Sequence, residues 1–279
     1  MTVAKSLPQI VEPDPHNELD QHYWDTWVPE PPPTDLIFDD GEPLESNQHR
    51  ITMSALISSI QYSWHPAQDF FVGGNMFIYF SRQQVMNKKF REPDFFVVLN
   101  AVGASDRKGW LIWEEGGRYP DIIIELLSDS TAKIDKTEKK DLYEQVFRTP
   151  NYFIYDPLEP ASFQGWHLTN AHYEPLIPNE RGWLWSSSLQ LWLGPWEGEI
   201  ERHPGNWLRF FDREENLILL PNEFAALETQ RANQAMETAQ VEQERANQAI
   251  AQAELEKQRA DRLAQKLQEL GIELGVNFS

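Results

Sequence analysis

Cysteine does not occur in this 279-residue sequence. Disulfides, thiolate metal centres and cysteine nucleophiles are therefore excluded, and a cytoplasmic setting fits. Long hydrophobic runs are missing too. No stretch reaches the roughly 18 apolar residues of a membrane span, and the opening segment MTVAKSLPQIVEPDP lacks the apolar core of a secretory signal. The seven histidines are scattered, with no two at metal-ligand spacing. Gly73-Gly74 lacks the G-x-x-x-x-G-K pattern of a phosphate loop and reads as a bulge or turn.

Positive charge is scarce. Lys and Arg number 24 against 44 Asp and Glu, a formal net charge of −20. Such a balance argues against tight non-specific DNA binding, which needs a broad basic face. The imbalance is uneven, however. Residues 1–45 hold 11 acidic residues and only Lys5, whereas 82–148 hold 12 of each sign. In that neutral middle lie Lys88, Lys89 and Arg91, then Lys133, Lys136, Lys139 and Lys140, which permits local phosphate contacts.

Three regions follow from the pattern. Residues 1–36 read as an acidic, Pro-rich extended arm, with Trp24 and Trp27 expected to pack on the domain. Residues 37–220 mix short strands with a few helices, which predicts one α/β domain with a mixed sheet flanked by helices. Glu45–Trp64 reads as the first helix, with His49, Met53, Leu56 and Ile60 on one stripe. Apolar runs at 69–80 and 91–99 flank SRQQVMNKK, read as a polar turn. Further strands are expected at 109–114, 119–127, 151–155 and within the Trp-rich stretch 182–220. The Trp residues there are read as core. Residues 221–279 read as a long helical, coiled-coil tail.

The acids inside apolar strands carry the chemistry. Asp94 opens PDFFVVLN, and Glu125 interrupts PDIIIELLS. A continuous apolar run implies a strand covered on both faces, where an ionised carboxylate costs several kcal/mol unless paired or metal-bound. Strand parity puts Asp121, Ile123, Glu125 and Leu127 on one face. The following helix, 135–147, is expected to begin near Lys136, with Asp135 and Glu138 forming a capping box. Its stripe of Lys139, Leu142, Tyr143 and Val146 points Lys139 towards the sheet. That lysine either forms a structural ion pair or completes a site. Two acids and a lysine suit phosphodiester hydrolysis, in which Mg²⁺ or Mn²⁺ bound by Asp94 and Glu125 neutralises developing charge and activates water.

The ordered set GEPLESNQHR (41–50), EPD (92–94), PDIIIELLSDST (120–131), Asp135-x3-Lys139 with Tyr143, and NYFIYDP (151–157) resembles the PD-(D/E)XK nuclease superfamily, and within it the Uma-type "putative restriction endonuclease" family. The resemblance runs from about 36 to 220. It implies a restriction-endonuclease-like fold and a metal-dependent endonuclease acting on DNA, with Asp94 and Glu125 as metal-binding acids and Lys139 as the lysine. In the superfamily that lysine sits two residues after the glutamate, where this chain has Leu127; Lys139 on the next helix is its counterpart. Glu45 corresponds to an accessory catalytic acid, with His49 four residues on. The competing function is a nuclease-fold adaptor, weak or inactive in catalysis, that acts through its coiled coil.

The tail repeats. Alanine recurs every seven residues at 225, 232, 239, 246, 253 and 260, and Leu267 continues the series. The second core position alternates, with Glu228, Ala235, Glu242, Ala249, Glu256, Leu263 and Leu270. A strict seven-residue repeat drifts around a straight helix, so it makes sense chiefly along a supercoiled partner. A homodimer formed partly through this helix is expected. The bland alternative is a solvated single helix of good propensity.

Overall fold

The computed structural model describes residues 31–38, 41, 46–87, 91–103, 106–128 and 132–269. Glu45, Trp24, Trp27, Lys88 and Lys89 lie outside them, as does Leu270.

The scaffold is a six-stranded mixed sheet in the order β1-β3-β5-β6-β7-β8. Its strands are β1 (Phe70–Gly73), β3 (Phe95–Leu99), β5 (Ile122–Leu126), β6 (Asn151–Tyr155), β7 (Gln164–Thr169) and β8 (His172–Pro175). β5 and β6 run parallel, and the other neighbours are antiparallel. Two small sheets flank this one: parallel β2 (Ile78–Tyr79) and β4 (Trp110–Leu111), and antiparallel β9 (Leu184–Ser186), β10 (Leu191–Ile200) and β11 (His203–Phe211).

The central strands are apolar throughout because both faces are covered. Phe95, Val97, Ile122, Ile124 and Leu126 point to one side, where they meet Leu56 and Ile60 of helix α1 (Asn47–Ser63) and Leu193, Leu208 and Phe210 of the small antiparallel sheet. Phe96, Val98, Ile123, Leu127, Tyr152 and Ile154 point to the other, against Trp110, Tyr143 and Phe147. The parity expected of β5 therefore holds, with Glu125 on the second side. Helix α1 starts where Ser46 caps it, its side chain accepting from the His49 amide. The stripe that α1 buries, including His49, Thr52, Leu56 and Ile60, is close to the predicted one.

Two local readings are corrected. SRQQVMNKK is not simply a turn: Ser81 caps a short helix, α2 (Arg82–Met86), and Gln84 anchors it by hydrogen bonds to the backbone at Phe80 and Ile78. The second correction concerns the helix over 132–147, α3. It begins at Ala132, so Asp135 is not a cap but lies inside the helix, buried. Two wide π-type turns, Asp135–Lys139 and Tyr143–Phe147, bracket the α-helical Lys140–Leu142. The widening changes which residues face the sheet. Residues four apart, Asp135, Lys139, Tyr143 and Phe147, come round to the sheet side, and Val146 turns outward to 45% exposure. Arg148, in the left-handed region at φ 54°, ends the helix before β6.

The described part of the N-terminal arm packs on the domain. Leu36 and Phe38 rest against Phe77, Tyr79 and Leu111, and the Tyr79 hydroxyl donates to the Ile37 carbonyl. At the other end, helix α4 (Pro221–Glu269) is almost entirely exposed beyond its first turns. Glu223 of its first turn forms a bidentate pair with the fully buried Arg209, at 3.0 and 2.7 Å, and Phe224 packs on Tyr62 of α1.

Candidate active site

The site forms where β3 and β5 stop pairing. Their antiparallel register couples Phe95 with Ile124 and Phe96 with Ile123. Continued by one pair, it sets Asp94 directly opposite Glu125. Opposed residues share a face, with Cβ atoms about 4.5–5.5 Å apart. Both acids thus belong to the side covered by α3.

Asp94 is held at two points. Its Oδ2 accepts the Leu126 amide at 2.8 Å, and its Oδ1 lies 2.9 Å from His49 Nε2. The first contact ties β3 to β5 where the ladder opens; the second ties both to α1. Behind Asp94 stands Gly74. A Cβ there would lie 2.5 Å from the Asp94 carbonyl oxygen, so only glycine lets the chain after β1 pass so close.

Glu125 is fully buried, and both its oxygens are occupied. Oε1 accepts the Tyr143 hydroxyl at 2.8 Å, and Oε2 faces the Lys139 ammonium at 3.0 Å. Lys139 also reaches Asp135 Oδ1 at 2.7 Å. Two carboxylates therefore contact one ammonium, and the charge of Asp94 acts on it from further off. Burial drives the Glu125 pKa above the carboxylate range; Lys139 opposes that shift, and the charges of Asp94 and Asp135 reinforce it. Lys139 loses solvation as well, but the three acids more than compensate and raise its pKa. Both partners of one ion pair are thus shifted upward, because burial outweighs the ammonium at Glu125 while the surrounding acids, Glu125 first, outweigh burial at Lys139. Tyr143 is pushed well above its usual value, chiefly by burial, so its hydroxyl keeps its proton and remains a donor.

This arrangement brings together Asp94, Glu125 and Lys139, and adds Asp135, Tyr143 and His49. Leu127, at the position of the superfamily's usual lysine, is buried among apolar residues. Lys140, next to Lys139, turns away to lie 5.0 Å over the Trp166 ring. The contact of Asp135 with Lys139 is passed over where Asp135-x-x-Glu138 is read as a helix start, although Asp135-x3-Lys139 stands in the motif set. Its i,i+4 spacing from Lys139 was the signal that pointed to it.

Residues 20–196 match the model of the Uma2 family, described as "Putative restriction endonuclease". The chain belongs to the Uma2 family. A crystal structure of a putative nuclease of the DUF820 family from Anabaena variabilis ATCC 29413 is also similar. It shares 17% identity over 51% of this chain and 79% of that one, with a TM-score of 0.35. Among curated proteins none matches. Most of the Uma2 match falls on the elements that carry the site, from α1 through β6.

Among the described residues, no three His, Asp or Glu side chains gather at metal-holding spacing. A divalent cation needs fewer, because Mg²⁺ commonly binds through one or two carboxylates and keeps several waters. Asp94 and Glu125 fit that requirement. Each of their oxygens has one hydrogen-bond partner and a second lone pair to give. The surplus of acid over ammonium is what a cation would balance.

Proposed function

We propose that this Uma2 protein is a divalent-cation-dependent endonuclease that hydrolyses phosphodiester bonds of DNA. Asp94 and Glu125 hold the cation, Mg²⁺ or Mn²⁺, and Lys139 is the catalytic lysine. The observation that supports this most is the β3–β5 register, which continued by one pair sets Asp94 opposite Glu125, together with a single ammonium in contact with both Glu125 and Asp135. The resemblance adds Glu45 as an accessory acid.

A bound cation would neutralise charge on the phosphate and lower the pKa of a water. The remaining work belongs to the chain. His49 and the Leu126 amide fix both oxygens of Asp94, so that the carboxylate meets its ligand already oriented. Tyr143 and Lys139 hold Glu125 in the same way. The Lys139 ammonium has three N–H donors; Glu125 accepts one, and Asp135 Oδ1 is an ion-pair partner 2.7 Å away. The third serves the substrate, either by orienting the attacking water or by meeting negative charge that builds on the phosphate. With DNA as substrate and no cysteine in the chain, the proposed setting is the cytoplasm.

The second part of the proposal is a homodimer held partly by α4. Its seven-residue alanine series and its exposed Met236, Ile250 and Leu263 find no cover within the described residues. A dimer supplies one active site for each DNA strand.

The function is tested by incubating the full-length protein with supercoiled plasmid DNA and with RNA, in Mg²⁺ or Mn²⁺ and in EDTA. Nicking or linearisation of the plasmid that stops on chelation is expected. Cleavage of RNA alone would reassign the substrate, and cleavage of neither would overturn the proposal.

A further inference from the structure

We infer that Asp135 is a positioning residue of this site, which acts through Lys139. The inference rests on the proposed nuclease reading and extends it to a residue without a place in the acid–acid–lysine set.

Asp135 is 1% exposed, although it lies in the first turns of a helix with solvent on its outer side. A carboxylate has no reason to be there unless something inside holds it. That group is Lys139, and the contact of 2.7 Å is shorter than the lysine's 3.0 Å contact with Glu125. Lysine has a long, rotamer-rich stem, and a single ion pair at its end leaves it free to swing. Two acids on different elements, one on β5 and one on α3 itself, fix the ammonium from two directions.

The helix is wound to permit this. In a regular α-helix, residues 135, 139 and 143 would drift round the axis by about 40° at each step, so that Asp135 and Tyr143 diverge. The π-type turns hold all three towards Glu125, at the cost of poorer helical geometry. The Tyr152 hydroxyl, donating to the Asp135 carbonyl at 2.8 Å, pins the same turn to β6. A local distortion that serves only packing would not need to bury a second acid beside the first. The ion pair with Lys139 is the route by which Asp135 acts on the site.

The test is a double-mutant cycle on the full-length protein. Asp135→Asn keeps the shape and an oxygen acceptor but removes the charge. Asp135→Ala removes both. With Mg²⁺ saturating, Asp135→Ala is expected to lower kcat for plasmid cleavage about ten-fold, with KM little changed. Asp135→Asn is expected to fall between it and wild type. In a Lys139→Ala background the Asp135 substitutions should change kcat by less than about two-fold. An equal loss in both backgrounds would show a structural effect independent of the lysine and overturn the inference.

A second arm needs no activity. In ¹⁵N-lysine-labelled protein the Lys139 ammonium should give a slowly exchanging ¹H–¹⁵N signal, identified by its loss in Lys139→Ala. Asp135→Asn should broaden or shift it while the fold, followed by circular dichroism, persists. If wild type cleaves no nucleic acid, the nuclease reading fails and this arm alone judges Asp135. An unchanged signal in Asp135→Asn overturns the positioning role whatever the activity.

Discussion

Lys139 and Lys140 are chain neighbours, yet they leave α3 in different directions. One reaches Glu125 and Asp135; the other lies over Trp166. Replacing each by alanine therefore separates charge at the site from charge near it. Lys139→Ala should abolish most cleavage while cation binding persists, because the lysine is not a ligand. Lys140→Ala should leave cleavage within about two-fold of wild type. Steady-state kinetics on both variants decides the point, and equal losses would contradict it.

Gly74 offers a test of the other acid. A methyl group there must push the Asp94 backbone, so Gly74→Ala should weaken Mg²⁺ binding by about ten-fold, the scale of a lost supporting contact at a metal site. Undiminished affinity in calorimetry would mean that Asp94 is not held where it is used.

Glu125 also leaves a signature in stability. Its folded-state pKa, about 8, lies above the ordinary 4.5. Between those values the folded protein keeps a proton that the unfolded chain has lost, so this group's contribution to stability falls as pH rises through that window. Lys139, raised above 10.5, contributes a similar fall only in more alkaline solution. Without divalent cations, the Tm of Glu125→Gln relative to wild type should increase between about pH 5 and about pH 8. A difference that stays constant across that range would show that burial does not hold the Glu125 carboxyl above its ordinary range.

At the scale of elements, legibility followed burial. β5 and β6 were readable because buried strands are continuously apolar, and parity placed Glu125 on its face. The β7–β8 hairpin gave no comparable signal, since most of its residues are half-buried or exposed. Helix α3 was legible as a helix but not in its winding. An α-helical stripe through Val146 and a wide-turn stripe through Phe147 differ by a single residue, and only the packed structure chooses between them. The two residues make the choice measurable. Phe147→Ala should cost about 3–5 kcal/mol of stability, while Val146→Ser should stay within about 0.5 kcal/mol. Denaturant unfolding of the two variants checks this, and the reverse order would restore the regular helix.

The whole molecule is a mixed-sheet α/β body carrying a long helix. At 1.5 Å per residue, the 49 residues of α4 extend about 74 Å. Sequence marked the change of character at Pro221 but not the anchor just beyond it. Glu223 is the carboxylate partner of the buried Arg209, so a cut after Pro221 would strand a buried charge and cost about 3–5 kcal/mol. A cut after Gln230 spares that pair. We expect the full-length protein to be dimeric by light scattering at tens of micromolar, and the chain ending at Gln230 to be a folded monomer. A full-length monomer, or a dimer of the shortened chain, would defeat the tail-mediated assembly.

The proposed chemistry requires that Asp94 and Glu125 share one cation. Calorimetric titration of Mg²⁺ or Mn²⁺ into wild type, Asp94→Asn and Glu125→Gln measures that directly. The prediction is a single class of site in wild type whose binding heat is lost, or whose affinity falls by at least about ten-fold, in each variant alone. Equal affinity in wild type and either variant would contradict a shared site.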